Sequence, residues 1–427
     1  MGVAPDACWL GIDFGTSGAR AIAIDTTAKI CHEQALPFAS QQVLRDPLAW
    51  QAMLYTLIRN LPSTVRSCLQ AIAIDGTSST VVVCDAEGQP VLPPLLYNDA
   101  VASPLVEQLR HMTPSGHCVG SASSSLAKLL SFQTDPAFVK VRYCLHQADW
   151  LAFLLHDQLG LSDYHNSLKL GYDPALEAYP DWFEHPVLAK LKPLLPRVVA
   201  PGTPLGPLSA SAAASLDLPA HCQVCAGTTD SIAAFLASPA MQPGEAVTSL
   251  GSTLVLKLLS RQRVDRADYG IYSHRLGSLW LAGGASNTGG AVLAQFFTPE
   301  ALATLSQDID AACESSLEYY PLLRPGERFP VNDPLLLPRL TPRPADDRVF
   351  LHGLLESLAR IEALGYHLLQ DCGATPLSRV FTAGGGAQNL TWQHIRQRRL
   401  GVPVERSPHE QAAYGTALLA LRQNIDW

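Results

Sequence analysis

The sequence lacks an extended block of basic residues, although Lys and Arg together number 30 against 38 Asp and Glu. The formal net charge at neutral pH is −8. Nucleic acids and anionic membrane surfaces are bound through clustered positive charge, so we expect neither as a partner. No apolar run reaches the roughly 20 residues of a membrane-spanning helix. The first residues show no basic region and apolar stretch of a secretory signal, and we expect a cytoplasmic protein.

The cysteines do not form a metal-binding or redox pattern. There are 10 of them in 427 residues, and one CxxC occurs, at Cys222 and Cys225. A zinc site would need a second CxxC or a nearby His pair. The segment also resembles a strand, where residues three apart face opposite sides. We therefore expect structural thiols in a reducing compartment, with the role of the CxxC left open.

Two common nucleotide-binding signatures are missing as well. A Walker P-loop requires a Gly-Lys pair, and the sequence contains none. A Rossmann fingerprint requires GxGxxG after a strand, whereas Gly11, Gly15 and Gly18 have a different spacing. Any nucleotide site in this chain must be of another kind.

What the sequence has is a strand, a polar turn and a second strand at residues 10–25, LGIDFGTSGARAIAID. Such a turn directs backbone N–H groups and two hydroxyls into one concavity, which suits a phosphate. An acid at the end of the first strand suits a hydrated divalent cation. An ordinary β-hairpin would show the same pattern. Residues 246–259, AVTSLGSTLVLKLL, repeat it, which indicates an internal duplication.

Strand-like and helix-like segments alternate along the chain, which is typical of α/β layers. We predict irregular, proline-rich connections at residues 186–207 and 321–344, and a glycine-rich turn leading into a helix at 281–297. The break at 238–244, SPAMQPG, predicts a domain boundary. Glycine and hydroxyl residues end four of the strands, and ligands of open α/β folds sit at strand ends. These strand ends lie near residues 13–18, 75–79, 251–253 and 384–386.

Six segments resemble, in order, the FGGY family of carbohydrate kinases. They are IDFGTSGARA, LLYND, LLPRVVAPGTPLGPL with VCAGTTDSIAAF, TSLGST, GERFPVNDP, and FTAGGGAQNLTWQHIRQRRLGVPV with AAYGTALLAL. The resemblance implies two ribonuclease H-like α/β domains, as in the actin, hexokinase and heat-shock ATPase superfamily, around an interdomain cleft. It places a sugar-binding domain at 1–238 and an ATP-binding domain at 239–427, with the final helix, about 411–427, able to pack back on the first domain.

Asp230 is the predicted catalytic base and a substrate contact. It follows a strand and opens the helix-like SIAAFLA, and phosphoryl transfer needs a carboxylate that accepts the proton of a sugar hydroxyl. An Asp in this position is also a good helix N-cap, and the two roles are compatible. The resemblance further implies that Asp13 holds Mg²⁺, through water, beside the transferred phosphate and the substrate.

The other predicted contacts divide between ATP and the sugar. The residues expected at the ATP phosphates are Gly15, Thr16, Ser17, Gly18, Gly251 and Thr253, and those expected at adenosine are Gly385, Gly386 and Asn389. For the sugar we predict Ser78, whose hydroxyl can donate and accept, and Asp99. Asp75 is a further possible acceptor, although both carboxylates could instead cap turns.

The loop Asp75-Gly76-Thr77-Ser78 differs from those of xylulokinases and glycerol kinases. The two segments DFGTSGARAIA and AIDGTS together are similar to the D-ribulose kinase branch found in cyanobacteria and plants. The resemblance implies transfer of the γ-phosphate of ATP to the terminal hydroxyl of a ketopentose, D-ribulose first, with a xylulokinase or other polyol kinase as alternative. A weakly active ATP-binding sensor or scaffold is the alternative of another class, and a chaperone- or actin-like ATPase ranks last. We expect a monomer or homodimer whose partners are the sugar and ATP.

Overall fold

The computed structural model describes residues 6–40 and 43–425. The chain divides into two compact units. The first falls within Met1–Ala237 and Gln411–Trp427, and the second within Ser238–Glu410. Each unit is organised around one six-stranded sheet.

The strands are β1 (Cys8–Phe14), β2 (Gly18–Ile24), β3 (Ile30–Pro37), β4 (Leu69–Gly76), β5 (Val81–Cys84), β6 (Tyr143–His146), β7 (Leu161–Asp163), β8 (Arg197–Val199), β9 (Pro204–Pro207), β10 (Gln223–Thr229), β11 (Glu245–Leu250), β12 (Leu254–Ser260), β13 (His274–Leu276), β14 (Leu279–Ala285), β15 (Arg379–Ala383) and β16 (Val404–Arg406). The helices are α1 (Pro47–Arg59), α2 (Ser63–Arg66), α3 (Ser103–Met112), α4 (Ser125–Phe132), α5 (Gln147–His156), α6 (Tyr164–Ser167), α7 (Pro186–Ala189), α8 (Ala210–Leu216), α9 (Asp230–Leu236), α10 (Gly290–Leu293), α11 (Pro299–Gln307), α12 (Asp347–Asp371), α13 (Leu390–Leu400) and α14 (Ala412–Arg422). In the part of the chain that the structure describes, no helix combines the length and hydropathy needed to cross a membrane.

The sheet of the first unit has the order β3-β2-β1-β4-β10-β9. β1 and β2 form an antiparallel hairpin, while β1, β4 and β10 run parallel. Leu10 and Ile12 of β1 and Ile72 and Ile74 of β4 are buried in the main core, as expected for parallel strands covered on both faces. The three parallel strands therefore end together at one edge of the sheet.

Helix α14 completes the first unit, because its backbone lies directly on β1. A Cβ atom at Gly11 would be 2.0 Å from the carbonyl oxygen of Ala413 and 2.2 Å from the nitrogen of Ala417. Gly415 on the helix is equally close to α9, where a Cβ would lie 1.9 Å from the carbonyl oxygen of Ala233. Only glycine fits at these two contacts.

The sheet of the second unit has the order β13-β14-β12-β11-β15-β16. The hairpin β11–β12 is antiparallel and β11 runs parallel to β15, which is the arrangement of β1, β2 and β4 in the first unit. The long helix α12 supplies about a third of the buried apolar side chains of the core, including Phe350, Leu354 and Leu358. The repeated topology agrees with the duplication that the two hairpin sequences indicate.

The predicted irregular connection at 186–207 is wrong in part, since α7, β8 and β9 lie within it. β8 pairs with β7, and β9 pairs with β10 at the edge of the main sheet. The two prolines of β9, Pro204 and Pro207, did not prevent this pairing, because an edge strand leaves one side without ladder bonds.

The glycine-rich turn predicted to begin at residue 281 is also misplaced, because Leu281–Ala285 belong to β14. Gly283 and Gly284 are strand residues in tight contact with their surroundings. A Cβ at Gly283 would lie 2.4 Å from the Leu256 carbonyl oxygen, and one at Gly284 would lie 2.4 Å from the Phe329 ring. Packing rather than a turn therefore accounts for these two glycines.

The CxxC thiols are buried at the start of β10. Burial raises the pKa of Cys222 and the pKa of Cys225 to about 12 each. A protonated thiol is a poor nucleophile and a poor metal ligand. The pair therefore behaves as two small apolar side chains of the core.

Candidate active site

Three aspartates meet at the carboxyl ends of β1, β4 and β10, and we call Asp13, Asp75 and Asp230 the acid edge. The parallel register places Asp13 opposite Asp75, and Asp75 opposite Thr228 of β10. Asp230 follows two residues later as the first residue of α9. Carboxyl ends of parallel strands are where α/β folds bind ligands, so this edge is the candidate site of the first unit.

Asp13 and Asp75 differ in how strongly their surroundings raise the pKa of the carboxyl group. Asp75 is fully buried, and this burial, together with the neighbouring negative charge of Asp13, raises its pKa well above the usual range. The hydroxyl of Thr416 on α14 donates to Asp75 Oδ2. Burial raises the pKa of Asp13 to about 6, against a hydrogen bond from Asp75 that lowers it. Of the two carboxyls, Asp75 is therefore the one whose surroundings favour the protonated form more strongly, because it is the more deeply buried.

The Asp13 carboxylate suits a hydrated cation. The nearest candidate counter-ion, Arg20, is instead paired with Glu33 at 2.9 Å. Among the described residues no group of three His, Cys, Asp or Glu side chains forms a ready metal cage. A carboxylate oxygen near the end of a strand is a ligand that Mg²⁺ takes while it keeps several waters.

Asp230 lies at the amino end of α9 and is partly exposed. Its Oδ1 accepts the Ser231 backbone N–H at 2.6 Å. Thr229, not Asp230, is the N-cap residue, so the N-cap alternative for Asp230 is wrong in its position. The helix amino end stabilises the ionised form of the carboxylate, and its negative charge contributes to the raised pKa of Asp13.

The first turn, residues 15–18, presents two exposed side chains next to Asp13. Thr16 and Ser17 are exposed, and the turn is closed by a 3.0 Å hydrogen bond from the Gly15 N–H to the Gly18 carbonyl. Gly18 is required by packing, since a Cβ there would lie 2.3 Å from the Leu36 carbonyl oxygen. The turn has the small, open shape that a phosphate group needs.

The second turn, Gly251-Ser252-Thr253, is exposed at the tip of the β11–β12 hairpin. It is backed by the loop from Ser286 to Gly290, which we call the backing loop. Gly290 donates its N–H to the Gly251 carbonyl at 2.9 Å. A Cβ at Gly289 would lie 2.6 Å from Thr253 Cα, so the backbones are in direct contact.

The predicted adenosine residues follow β15. Gly385 is exposed, and a Cβ there would meet nothing within 4 Å, whereas a Cβ at Gly386 would lie 2.7 Å from both Leu250 and Trp392. Asn389 caps α13 through the Trp392 N–H at 2.9 Å and donates to Ser306 Oγ at 2.8 Å. Gly386 and Asn389 thus have packing and capping roles, and their contact with adenosine stays a prediction.

The loop after β4 is held from beneath by a buried lysine. Lys128 is fully buried and donates to the carbonyls of Ser79, at 2.8 Å, and Leu96, at 2.5 Å. Ser79 has a left-handed backbone conformation, with φ of 66°. Ser78 beside it is partly exposed. Burial lowers the pKa of Lys128 to about 8. The lysine thereby fixes the loop that carries the predicted sugar contact.

Asp99 has structural partners in this unit. Its carboxylate takes two hydrogen bonds from Arg45, at 2.6 and 2.7 Å, and one from the Leu96 N–H at 2.7 Å. The Arg45 guanidinium lowers the pKa of Asp99. These bonds close the turn at residues 96–99, and a sugar contact of Asp99 stays a prediction.

Sequence reasoning missed a polar cluster next to β10. Asp163 accepts backbone N–H groups from His165, at 2.8 Å, and Asn166, at 3.1 Å, and His165 Nδ1 lies 2.7 Å from Thr228 Oγ1. Burial raises the pKa of Asp163 to about 7. The polar run Ser162–Ser167 in a largely apolar chain was the available signal.

Two α/β units built on the same hairpin, the first with an acid edge, are the architecture of two-domain carbohydrate kinases. The model of the FGGY family of carbohydrate kinases matches the chain with its N-terminal domain at residues 8–237 and its C-terminal domain at 246–423. The chain belongs to this family and is an ATP-dependent carbohydrate kinase.

Relatives of known activity cover nearly the whole chain. A xylulose kinase of Streptomyces coelicolor is 27% identical over 98% of this chain and 89% of its own length. An L-fuculokinase of Salmonella typhi is 25% identical over 93% and 88%. The xylulose kinase structure from Rhodospirillum rubrum, 22% identical, has a TM-score of 0.83 over 97% of this chain and 89% of that one. The Plasmodium falciparum glycerol kinase structure with ADP, 16% identical, has a TM-score of 0.83 over 99% and 90%. The two structures share the fold.

Proposed function

We propose that the chain transfers the γ-phosphate of ATP to the terminal hydroxyl of a ketopentose, with D-ribulose as the substrate and D-ribulose 5-phosphate as the product. The observation that carries the proposal is the acid edge. Transfer to a hydroxyl needs one carboxylate to accept a proton and an anionic site for the metal of the nucleotide. Asp13 at the end of β1 and Asp230 after the end of β10 supply these two groups, on either side of β4 in the sheet.

Each member of the acid edge has one role in this proposal. Asp230 orients the sugar hydroxyl and accepts its proton as the phosphoryl group is transferred. Asp13 holds Mg²⁺, which supplies positive charge against the phosphate oxygens. Asp75, whose raised pKa favours the protonated form, helps to orient that carboxylate from the paired position on β4. Thr16 and Ser17 contact the transferred phosphate through N–H and hydroxyl groups, and Gly251 and Thr253 contact the remaining phosphates.

The choice of D-ribulose rests on the loop Asp75-Gly76-Thr77-Ser78 and on the similarity of the segments DFGTSGARAIA and AIDGTS to D-ribulose kinases. Ser78 is the partly exposed hydroxyl of this loop, and Lys128 holds the loop in place. The relatives named xylulose kinase and L-fuculokinase are 27% and 25% identical to this chain. Sugars that differ in one hydroxyl are separated only by such local contacts.

A substrate panel tests this proposal. ADP release is measured with D-ribulose, D-xylulose, L-fuculose, ribitol, glycerol, glucose and no sugar, each at several concentrations. We expect the highest kcat/KM with D-ribulose, about tenfold or more above D-xylulose. A higher value for another sugar contradicts the choice of substrate. ATP binding without stimulation by any sugar would favour the sensor or scaffold alternative.

A further inference from the structure

Glu327 is a buried carboxylate of the second unit whose partners all belong to short loops. It is 2% exposed. Its Oε1 accepts the N–H of Asn287 at 2.8 Å and that of Arg328 at 2.9 Å. Its Oε2 accepts the hydroxyl of Ser286 at 2.5 Å and that of Tyr320 at 3.2 Å. With the longer contact from the Phe329 N–H to Oε1 at 3.5 Å, one side chain gathers five donors from three separate places in the sequence.

Two of the residues that Glu327 holds, Ser286 and Asn287, belong to the backing loop of the second phosphate turn. Four backbone hydrogen bonds join this loop and the residue after it to the β11–β12 hairpin. They run from the Leu254 N–H to the Thr288 carbonyl (2.8 Å), from Ser286 to Leu254 (2.9 Å), from Gly290 to Gly251 (2.9 Å) and from Ala291 to Ser252 (3.1 Å). Because a Cβ at Gly289 would lie 2.6 Å from Thr253 Cα, a shift of the loop displaces the turn.

We propose that Glu327 is a positioning residue for the nucleotide, which keeps the turn Gly251-Ser252-Thr253 in its phosphate-binding shape through the backing loop. The inference rests on the phosphate contacts that the proposed function gives to this turn. Glu327 itself contacts no part of ATP. A carboxylate suits the task because it accepts from two backbone N–H groups and two hydroxyls at once, and an apolar side chain would leave these buried donors unpaired.

The variants Glu327→Ala and Glu327→Gln separate positioning from simple stability. Glutamine keeps an oxygen for the two backbone N–H groups, and its amide can donate to the hydroxyl oxygens of Ser286 and Tyr320. Tyr320→Phe removes one donor only and serves if Glu327→Ala does not fold. Glu356→Gln is the matched control, since Glu356 is a fully buried carboxylate of the same unit that pairs with Arg398 and Arg399.

The measurements are ADP binding by calorimetry with Mg²⁺ and no sugar, the KM values for ATP and for the sugar, and the unfolding midpoint. For Glu327→Ala we expect the ADP Kd and the KM for ATP to rise about tenfold or more, with the KM for the sugar within about twofold. Glu327→Gln recovers most of the affinity, and Tyr320→Phe loses about two- to threefold. Glu356→Gln lowers the unfolding midpoint without changing the ADP Kd.

Unchanged ADP affinity in folded Glu327→Ala and Tyr320→Phe overturns the inference. The inference also fails if Glu356→Gln, at the same loss of unfolding midpoint, weakens ADP binding as much as Glu327→Ala does. Thr253→Val changes the turn directly, and it separates the positioning role of Glu327 from the phosphate contacts of the turn. If it weakens ADP binding and Glu327→Ala does not, only the positioning role fails. If neither has an effect, the phosphate contacts assigned to this turn fail.

Discussion

At the scale of single residues, the role that we propose for the acid edge depends on a difference in pKa between two neighbouring carboxyl groups. Asp75 is fully buried and bonded to Thr416, while Asp13 is partly exposed. Two like charges at paired strand positions repel, so the more buried group keeps its proton. Asp13 remains free to bind a cation through its negative charge.

Asp75→Asn tests this assignment through stability. The pKa of Asp75 is raised in the folded protein above its usual value. At a pH between the pKa of Asp75 in the unfolded protein and its higher pKa in the folded protein, the folded state binds more protons. The free energy of unfolding therefore falls as the pH rises through this range. The amide is neutral at every pH, can accept from Thr416 and can donate to Asp13.

We therefore expect Asp75→Asn to lose less thermal stability than the wild type between pH 5 and pH 8. Melting temperatures across this range give the comparison. Asp85→Asn, a change in an exposed turn where the carboxylate accepts backbone N–H groups, is the control. A parallel decline in Asp75→Asn and the wild type would show that Asp75 is ionised in the folded protein.

Which residues of the site could be predicted from the sequence depends on how far apart their partners lie. Asp13 is recognisable because it lies near the end of a buried strand, and Asp230 because it directly follows one. Lys128 donates to a carbonyl that is 49 residues away in the sequence, and Thr416 donates to Asp75, which is 341 residues away. Composition and spacing carry no signal for such contacts, and they become visible only when the sheet order is known.

At the scale of elements, the hairpins, the long helix α12 and the closing helix α14 follow from local hydrophobic patterns. The missed strands β8 and β9 are short and contain or adjoin prolines, and β14 contains two glycines. Their strand conformation is set by pairing with distant segments, such as β10 for β9 and β12 for β14. Tertiary pairing overrode local propensity at these positions.

The contact between β1 and α14 gives a prediction at this scale. In Gly11→Ala the new methyl group overlaps the backbone of α14 at Ala413 and Ala417. We expect a loss of about 1–3 kcal/mol in the free energy of unfolding, as for other overpacked cores. Chemical denaturation provides the measurement.

Gly120→Ala is the matched control in the same unit, because its Cβ would meet only the flexible Arg110 side chain, at 3.2 Å. It should be close to the wild type. Equal stability of Gly11→Ala and Gly120→Ala would mean that α14 does not rest on β1 as described.

At the scale of the whole molecule, two units share one hairpin design but differ in what their strand ends carry. The first has the acid edge, and the second has an exposed Gly-Ser-Thr turn with its backing loop. Phosphoryl transfer needs acid–base chemistry at the sugar and contacts at the phosphates, and these are the roles that we propose for the two features. The family assignment rests on matches at residues 8–237 and 246–423. The choice of sugar in our proposal rests mainly on a few residues after β4.

The central claim is that Asp230 accepts the proton of the sugar hydroxyl, and Asp230→Asn tests it most directly. Asparagine keeps the size of the side chain and removes the base. Sugar-stimulated ADP release and ADP binding are measured on the same folded preparation. The account predicts that turnover falls by about 10²- to 10⁴-fold while the ADP Kd stays within twofold. Turnover near that of the wild type would contradict it.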